Sequence, residues 1–206
     1  MKEHQRVREL LQRSANLEFY ECYGSNEIAG QVAQLDNALR AKNGTGLRER
    51  FLMINTDASP IFGIATAKER ENIDALLATP EAKQYLPSNL RLRWSVKPSP
   101  VNFTDTVTHQ DRQIDALRAT NGGPALDGSC VVGATSDFDQ MQGNVVSMTM
   151  NADGARDWAR ITQRNIGHPV AIVLDDLVYS YPNIRQAIEG GRSQITGYFT
   201  VEEAQD

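Results

Sequence analysis

The spacing of apolar positions changes several times along this chain, and each change falls at a glycine, proline or capping residue. From Val145 to Met150 the run VVSMTM is rich in β-branched residues and bounded by Gly143-Asn144 and Asn151, which predicts a strand. Asn151 then suits the cap of a helix whose positions Ala155, Trp158, Ala159, Ile161 and Thr162 share one face. That helix should stop at Asn165-Ile166-Gly167, with Pro169 just beyond. The continuous apolar run Val170 to Leu174 predicts a strand covered on both faces. Asp175-Asp176 turns it, and Leu177 to Ser180 returns it as a hairpin. A non-glycine at Asp176 argues against a turn with both central residues at positive φ. A short helix, a turn at Gly190-Gly191 and a last strand complete the series.

Upstream, residues 3–13 read as a helix with Val7, Leu10 and Leu11 on one side, and Leu17 to Tyr23 alternates as a strand. A helix from Ser25 carries Ile28, Val32, Leu35 and Leu39, and ends at the glycine-containing link Asn43 to Gly46, a candidate mobile loop. Phe51 to Ile54 and Ile61 to Ala65 are candidate strands. Thr66 and Glu69 predict a capping box for a helix bearing Ile73, Leu76 and Leu77. Thr79-Pro80 opens a short helix running to Leu86. Leu90 to Val96 is the clearest alternation, with Leu90, Leu92, Trp94 and Val96 inward and Arg91, Arg93 and Ser95 outward. Residues 99–111 have no helical period and read as an exposed loop, followed by strands over Gln113 to Ala119 and Ser129 to Ala134. The expected class is α+β: a mainly antiparallel sheet with helices on one side, close to a ferredoxin-like βαββ unit with an insertion.

Composition narrows the functions without choosing one. The 206 residues are 40% hydrophobic and 23% charged, with a net charge of −5, which argues against nucleic acid as a partner. No apolar run approaches the length of a membrane span, and Lys2 to Arg13 lacks the apolar centre of a signal peptide. His4, His109 and His168 fall in no metal-ligand spacing, and Asp175-Asp176 and Asp137-Phe138-Asp139 lie at strand ends, where aspartate favours turns. No catalytic residue, cofactor or metal is assigned. Cys22 and Cys130 leave pairing and simple packing both open. Trp94, Trp158, Tyr179, Tyr181 and Tyr198 are candidates to line an apolar groove for a peptide, although Trp158 on an amphipathic helix suits the core better.

The stretch NIGHPVAIVLDDLVYSYPNI, followed by IEGGRSQITGYFTVEEA, resembles the periplasmic signature of SecD and of the fused SecDF. SANLEF (Ser14 to Phe19), PALDG (Pro124 to Gly128) and VVSMTMNADGARDWARIT fit the same family in the same order. Two positions depart from it: the usual Asp-Gly is Asp175-Asp176, and the usual Ser-Ala-Pro is Ser180-Tyr181-Pro182. The resemblance implies an extracytoplasmic fragment of a bacterial inner-membrane protein, excised from transmembrane helices that other family members carry. It divides the chain into a flanking helix and first strand over residues 1–23, an inserted α/β segment over 24–111 of the longer SecDF type, and a head core over 112–200. Residues 201–206 would begin the helix leading back to the base. The implied partners are unfolded preprotein, the SecYEG translocon and other Sec accessory subunits, with no enzymatic step and proton flow driving movement of the head. Candidate hinges are Tyr23, Gly24, Phe199, Thr200 and Val201; candidate peptide contacts are Tyr179, Tyr181 and Tyr198. Two other readings stand beside it: a scaffold that only docks to translocon subunits, and a periplasmic hydrolase or solute-binding enzyme domain. The last requires Asp175-Asp176, His168 and a second acid to converge in one pocket.

Overall fold

The computed structural model describes residues 16–96, 103–104, 111–112, 114–139 and 143–196. In chain order they form β1 (Leu17–Glu21), α1 (Ser25–Asn43), β2 (Met53–Ile54), β3 (Ile61–Thr66), α2 (Arg70–Leu77), α3 (Pro80–Tyr85), β4 (Leu90–Trp94), β5 (Phe103–Thr104) and β6 (Asp111–Arg112). There follow β7 (Ile114–Asn121), β8 (Leu126–Asp127), β9 (Val131–Asp139), β10 (Gly143–Met150), α4 (Ala152–Arg164), β11 (Val170–Leu174), β12 (Leu177–Ser180) and β13 (Arg192–Thr196). The registers of β1–β8, β2–β3, β3–β7, β4–β7, β5–β6, β9–β10 and β10–β13 are antiparallel, so the architecture is α+β as expected. The helix anticipated over residues 3–13 lies outside the described residues, as do Tyr198, Phe199, Thr200 and Val201.

The chain folds as two compact units. Among the described residues, one comprises those up to Tyr20, those within 124–175 and those from Tyr179 on; the other comprises those within 21–123 together with Asp176–Val178. These bounds differ from the expected ones at 24–111 and 112–200, because β7 is hydrogen bonded between β3 and β4 and so folds with the second unit.

The first unit contains the sheet β13-β10-β9 and, of the sheet β12-β11-β1-β8, all but Glu21 of β1 and Leu177-Val178 of β12. The order β10-α4-β11-β12 is the anticipated β-α-β-β series, but its strands are shared between these two sheets. Asn151 caps α4, its Oδ1 accepting the Gly154 N–H at 2.8 Å. Trp158, Ile161 and Thr162 on the inner face of α4 are buried, and Trp158 and Ile161 pack in one core with Phe19, Met148, Met150, Val170 and Ile172. The residues after β12 do not form the expected short helix. Their backbone is taken up beside the end of α4: Gly167 N–H donates to the Ile184 carbonyl at 2.7 Å, Ile184 N–H to that of His168 at 3.0 Å, and Ile188 N–H to Thr162 Oγ1 at 2.9 Å. A peptide group bonded sideways in this way cannot also bond four residues back.

The hairpin turn also differs from expectation. Asp175 and Asp176 sit at φ 47° and 66°, both left-handed, as a two-residue turn between twisted strands requires. Aspartate is among the few non-glycine residues that visit this region, because its short side chain bonds locally; Asp175 Oδ1 accepts the Asn16 N–H at 3.1 Å. Asp176→Ala should therefore cost about 1–2 kcal/mol. Asp176→Asn should cost only about 0–1 kcal/mol, since it keeps the turn and gives up an ion pair with Arg93 whose carboxylate side is 85% exposed. Urea unfolding of the two variants separates the two effects.

The second unit is built on the sheet β2-β3-β7-β4. Its core joins Ile28, Val32, Leu35 and Leu39 of α1 to Phe62, Ile73, Ala82, Leu90, Trp94 and Leu117. The link after α1 is anchored: Gly44 closes the helix at φ 77°, and the Arg48 N–H donates to buried Asp36 Oδ1 at 2.8 Å. Thr66 makes no side-chain cap; a short 3₁₀ turn over Ala67–Glu69 precedes α2, and Glu69 Oε2 accepts from Arg50 and Asn72 instead. Thr79 caps α3 as expected, its Oγ1 accepting the Ala82 N–H at 3.3 Å. Arg93 and Ser95 are not outward and solvated. Arg93 donates to Thr120 Oγ1 at 2.6 Å and pairs with Asp176 at 3.3 Å, and Ser95 is buried. Within the expected loop of residues 99–111, Phe103-Thr104 pairs with Asp111-Arg112.

Candidate functional site

The predicted contact residues that can be placed lie on β12, an outer strand of the sheet β12-β11-β1-β8. Side chains alternate along it: Val178 and Ser180 are buried, Tyr179 is half-buried, and Tyr181, just past the strand, is 38% exposed. The two tyrosines thus follow one strand periodicity on the less buried face, and the Val170 N–H on the Pro182 carbonyl at 3.2 Å continues the hairpin past Tyr181. The outer edge of β12 is already met at Val178, which bridges Ser95 and whose carbonyl accepts the Val96 N–H at 3.0 Å, so what this face offers is apolar contact from the tyrosine rings.

The two tryptophans do not belong to such a surface. Trp158 lies 5.0 Å from the Phe19 ring and donates Nε1–H to Ser193 Oγ at 2.7 Å. Trp94 donates to Asp74 Oδ1 at 2.8 Å beneath the Arg70 guanidinium, 5.2 Å from its ring. Both are core residues with their single donor satisfied.

The hinge candidates Tyr23 and Gly24 lie just past the passage of the chain between units at Tyr20–Glu21. Tyr23 N–H donates to the Ala119 carbonyl at 3.1 Å and Gly24 N–H to Glu27 Oε2 at 2.6 Å, so both are bonded into the second unit.

The groups needed for a hydrolytic site do not converge. His168 is exposed at the start of β11 and Asp175 follows its end. The whole strand separates them, roughly 20 Å at about 3.3 Å per residue. Among the described residues no group of three or more histidine, cysteine, aspartate or glutamate side chains is placed to hold a metal. Cys22 and Cys130 are not joined in a disulfide. Cys130 donates Sγ–H to the Asp127 carbonyl at 3.0 Å, and burial, with the nearby Asp127 charge, pushes its thiol pKa up, away from a reactive thiolate. Asp127 itself is held below the usual carboxylate range by hydrogen bonds from the Ser129 side chain and backbone.

A second concave feature, not anticipated from the sequence, lies in the second unit. Leu77, Leu86, Pro87 and Leu92 line a groove of about 600 Å³, with Lys83 and Arg91 among its polar groups. Its walls come from α2, the end of α3 and β4, so no single stretch of chain displays it. The only local signal was the pair of prolines, Pro80 and Pro87, that cut α3 short beside the strand.

The SecDF P1 head subdomain matches residues 105–206. The protein translocase subunit SecD of Rhodothermus marinus is 40% identical over 146 residues, which is 71% of this chain and 22% of that protein. The protein translocase subunit SecDF of Thermus thermophilus is 45% identical over 85 residues, 41% of this chain and 12% of that protein. This chain therefore spans less than a quarter of the length of these relatives. Among solved structures, SecDF in its super-membrane-facing form is similar, with 28% identity, a TM-score of 0.46, and coverage of 100% of this chain and 20% of that one. The family match and the two translocase relatives do not favour a hydrolase or solute-binding enzyme.

Proposed function

We propose, from the premise that this chain belongs to the SecD/SecDF family through the head subdomain at residues 105–206, that it contacts unfolded preprotein leaving the SecYEG channel. The chain is an extracytoplasmic head, and proton flow through the membrane part of the whole protein moves it so that transport runs forward. Its pivots are Tyr23-Gly24 and Phe199-Thr200-Val201. The observation that supports preprotein contact is the outer strand β12 with Tyr179 and Tyr181 on its less buried face. An unfolded segment exposes its apolar side chains, so it can pack against this aromatic face whatever its exact sequence. The aromatic pair, with Tyr198 as a third contact, supplies apolar area at low side-chain entropy cost. No covalent chemistry is involved.

Translocation into membrane vesicles carrying the full-length protein tests the reading. Tyr181→Asp should weaken capture by roughly tenfold, in line with loss of an aromatic anchor, and slow proton-driven export. Export at the unsubstituted rate would remove Tyr181 from the contact surface.

A further inference from the structure

We infer that the groove beside β4 is a second polypeptide site, which takes an extended segment by strand addition with an acidic side chain next to an apolar anchor. The source of that segment, the same unfolded preprotein, rests on the reading above; the site itself stands on the geometry of the second unit.

Strand β4 ends the sheet β2-β3-β7-β4, and among the described residues no strand pairs with its outer edge at Leu90 to Leu92. The Gly122 N–H bonds the Asn89 carbonyl at 2.6 Å, and antiparallel ladders alternate, so Arg91 and Arg93 turn their backbone groups to β7. Leu90 and Leu92 turn theirs outward. The Leu90 N–H is taken by the Pro87 carbonyl at 3.0 Å and the Leu90 carbonyl accepts from Arg91 Nη1 at 2.9 Å, which leaves the two backbone groups of Leu92 for an added strand. A little further along, this same edge already receives added chain: Ser95 bridges Val178 in parallel, and the Val96 N–H donates to the Val178 carbonyl at 3.0 Å. The edge is therefore suited in twist and spacing to one more strand.

The groove supplies what an edge alone lacks, a place for a side chain. At about 600 Å³ it lies in the range of pockets that enclose a ligand group, and Leu77, Leu86, Pro87 and Leu92 make its apolar wall. Its charge is unbalanced toward positive: Lys83 and Arg91 are exposed, while the one acid, Asp74, already accepts the Trp94 indole N–H. A segment with glutamate beside valine or leucine complements both features.

The test is fluorescence anisotropy on the whole 206-residue chain with fluorescein-labelled Ser-Glu-Val-Thr-Val-Glu and its twin with lysine in place of glutamate. The chain should prefer the glutamate peptide by about tenfold, and Lys83→Glu with Arg91→Glu should reverse that preference. Both substitutions sit at exposed positions, so folding is retained and is checked by far-ultraviolet circular dichroism. A peptide N-methylated on alternate amides should bind about tenfold more weakly, since it cannot pair with Leu92. Equal binding of the two peptides, an unchanged preference in the double variant, or indifference to N-methylation would each overturn the inference. Binding that instead disappears in Tyr181→Ala and survives Lys83→Glu/Arg91→Glu would overturn it while leaving the β12 reading intact.

Discussion

Truncating Trp158 to alanine should destabilise the first unit by about 3–5 kcal/mol, the largest single effect expected in this molecule. Trp158 is 4% exposed and in contact with Phe19, which is fully buried, so the lost area is nearly all interior. Its indole N–H is the donor to Ser193 Oγ at 2.7 Å, which ties α4 to β13, so truncation also removes that bond. The helix cannot collapse into the gap freely, because its N-terminus is pinned: a Cβ at Gly154 would lie 2.5 Å from Cys130 Cβ. Trp158→Phe should cost less, about 1–2 kcal/mol, since a ring still packs on Phe19 and only the hydrogen bond and part of the volume are lost. Native-state hydrogen exchange reads this directly. Amides of Val170 to Leu174 should lose two to three orders of magnitude of protection in Trp158→Ala, about tenfold for each 1.4 kcal/mol.

Asp36→Ala should destabilise the second unit by about 2–3 kcal/mol. The Asp36 side chain is 7% exposed and stands near the C-terminal end of α1, where its Oδ1 holds the Arg48 N–H at 2.8 Å. Gly46 passes so close that a Cβ there would sit 2.3 Å from Oδ1, so the loop is folded directly over the carboxylate. Removing the acceptor leaves a backbone donor unsatisfied, and that loss outweighs the ion pairs: Arg40 and Arg48, at 3.4 and 3.8 Å, are about half exposed and screened by water. Asp36→Asn keeps an acceptor for Arg48 and should cost only about 1 kcal/mol. Trp94 is the natural reporter, since in a Trp158→Phe background it is the one remaining tryptophan. Urea unfolding followed by its fluorescence should show Asp36→Ala with a lower midpoint than Asp36→Asn.

What could be read from sequence was local. The Asn151 cap, the stripe Trp158, Ile161 and Thr162, and the buried run Val170 to Leu174 are each encoded within a few residues, and each stands as expected. Ile184 and Ile188 have helix-like spacing, yet their chain lies along the end of α4, because backbone bonds to residues far away in sequence override a short period. Arg93 alternates outward on paper, yet its side chain is only 10% exposed and is held between Thr120 and Asp176, both distant in sequence. The membership of β7 in the second unit is likewise a pairing choice that periodicity does not encode. At the candidate site, Tyr179 and Tyr181 were singled out as aromatic residues, and their common strand face became visible only with the burial of Val178 and Ser180 between them. The groove was not legible, since Leu77, Leu86 and Leu92 come from three elements and look individually like core residues.

The central claim, that this head touches unfolded chains in transit, is tested most directly by photocrosslinking during export. An aromatic photoreactive amino acid is placed at Tyr179 or Tyr181 of the full-length protein, and a preprotein is arrested partway through the channel. The preprotein should be labelled from both positions, and release of the arrested chain should abolish the labelling. Adducts with translocon subunits alone, whether or not a preprotein is engaged, would mean that the domain is a docking scaffold and that the claim is wrong.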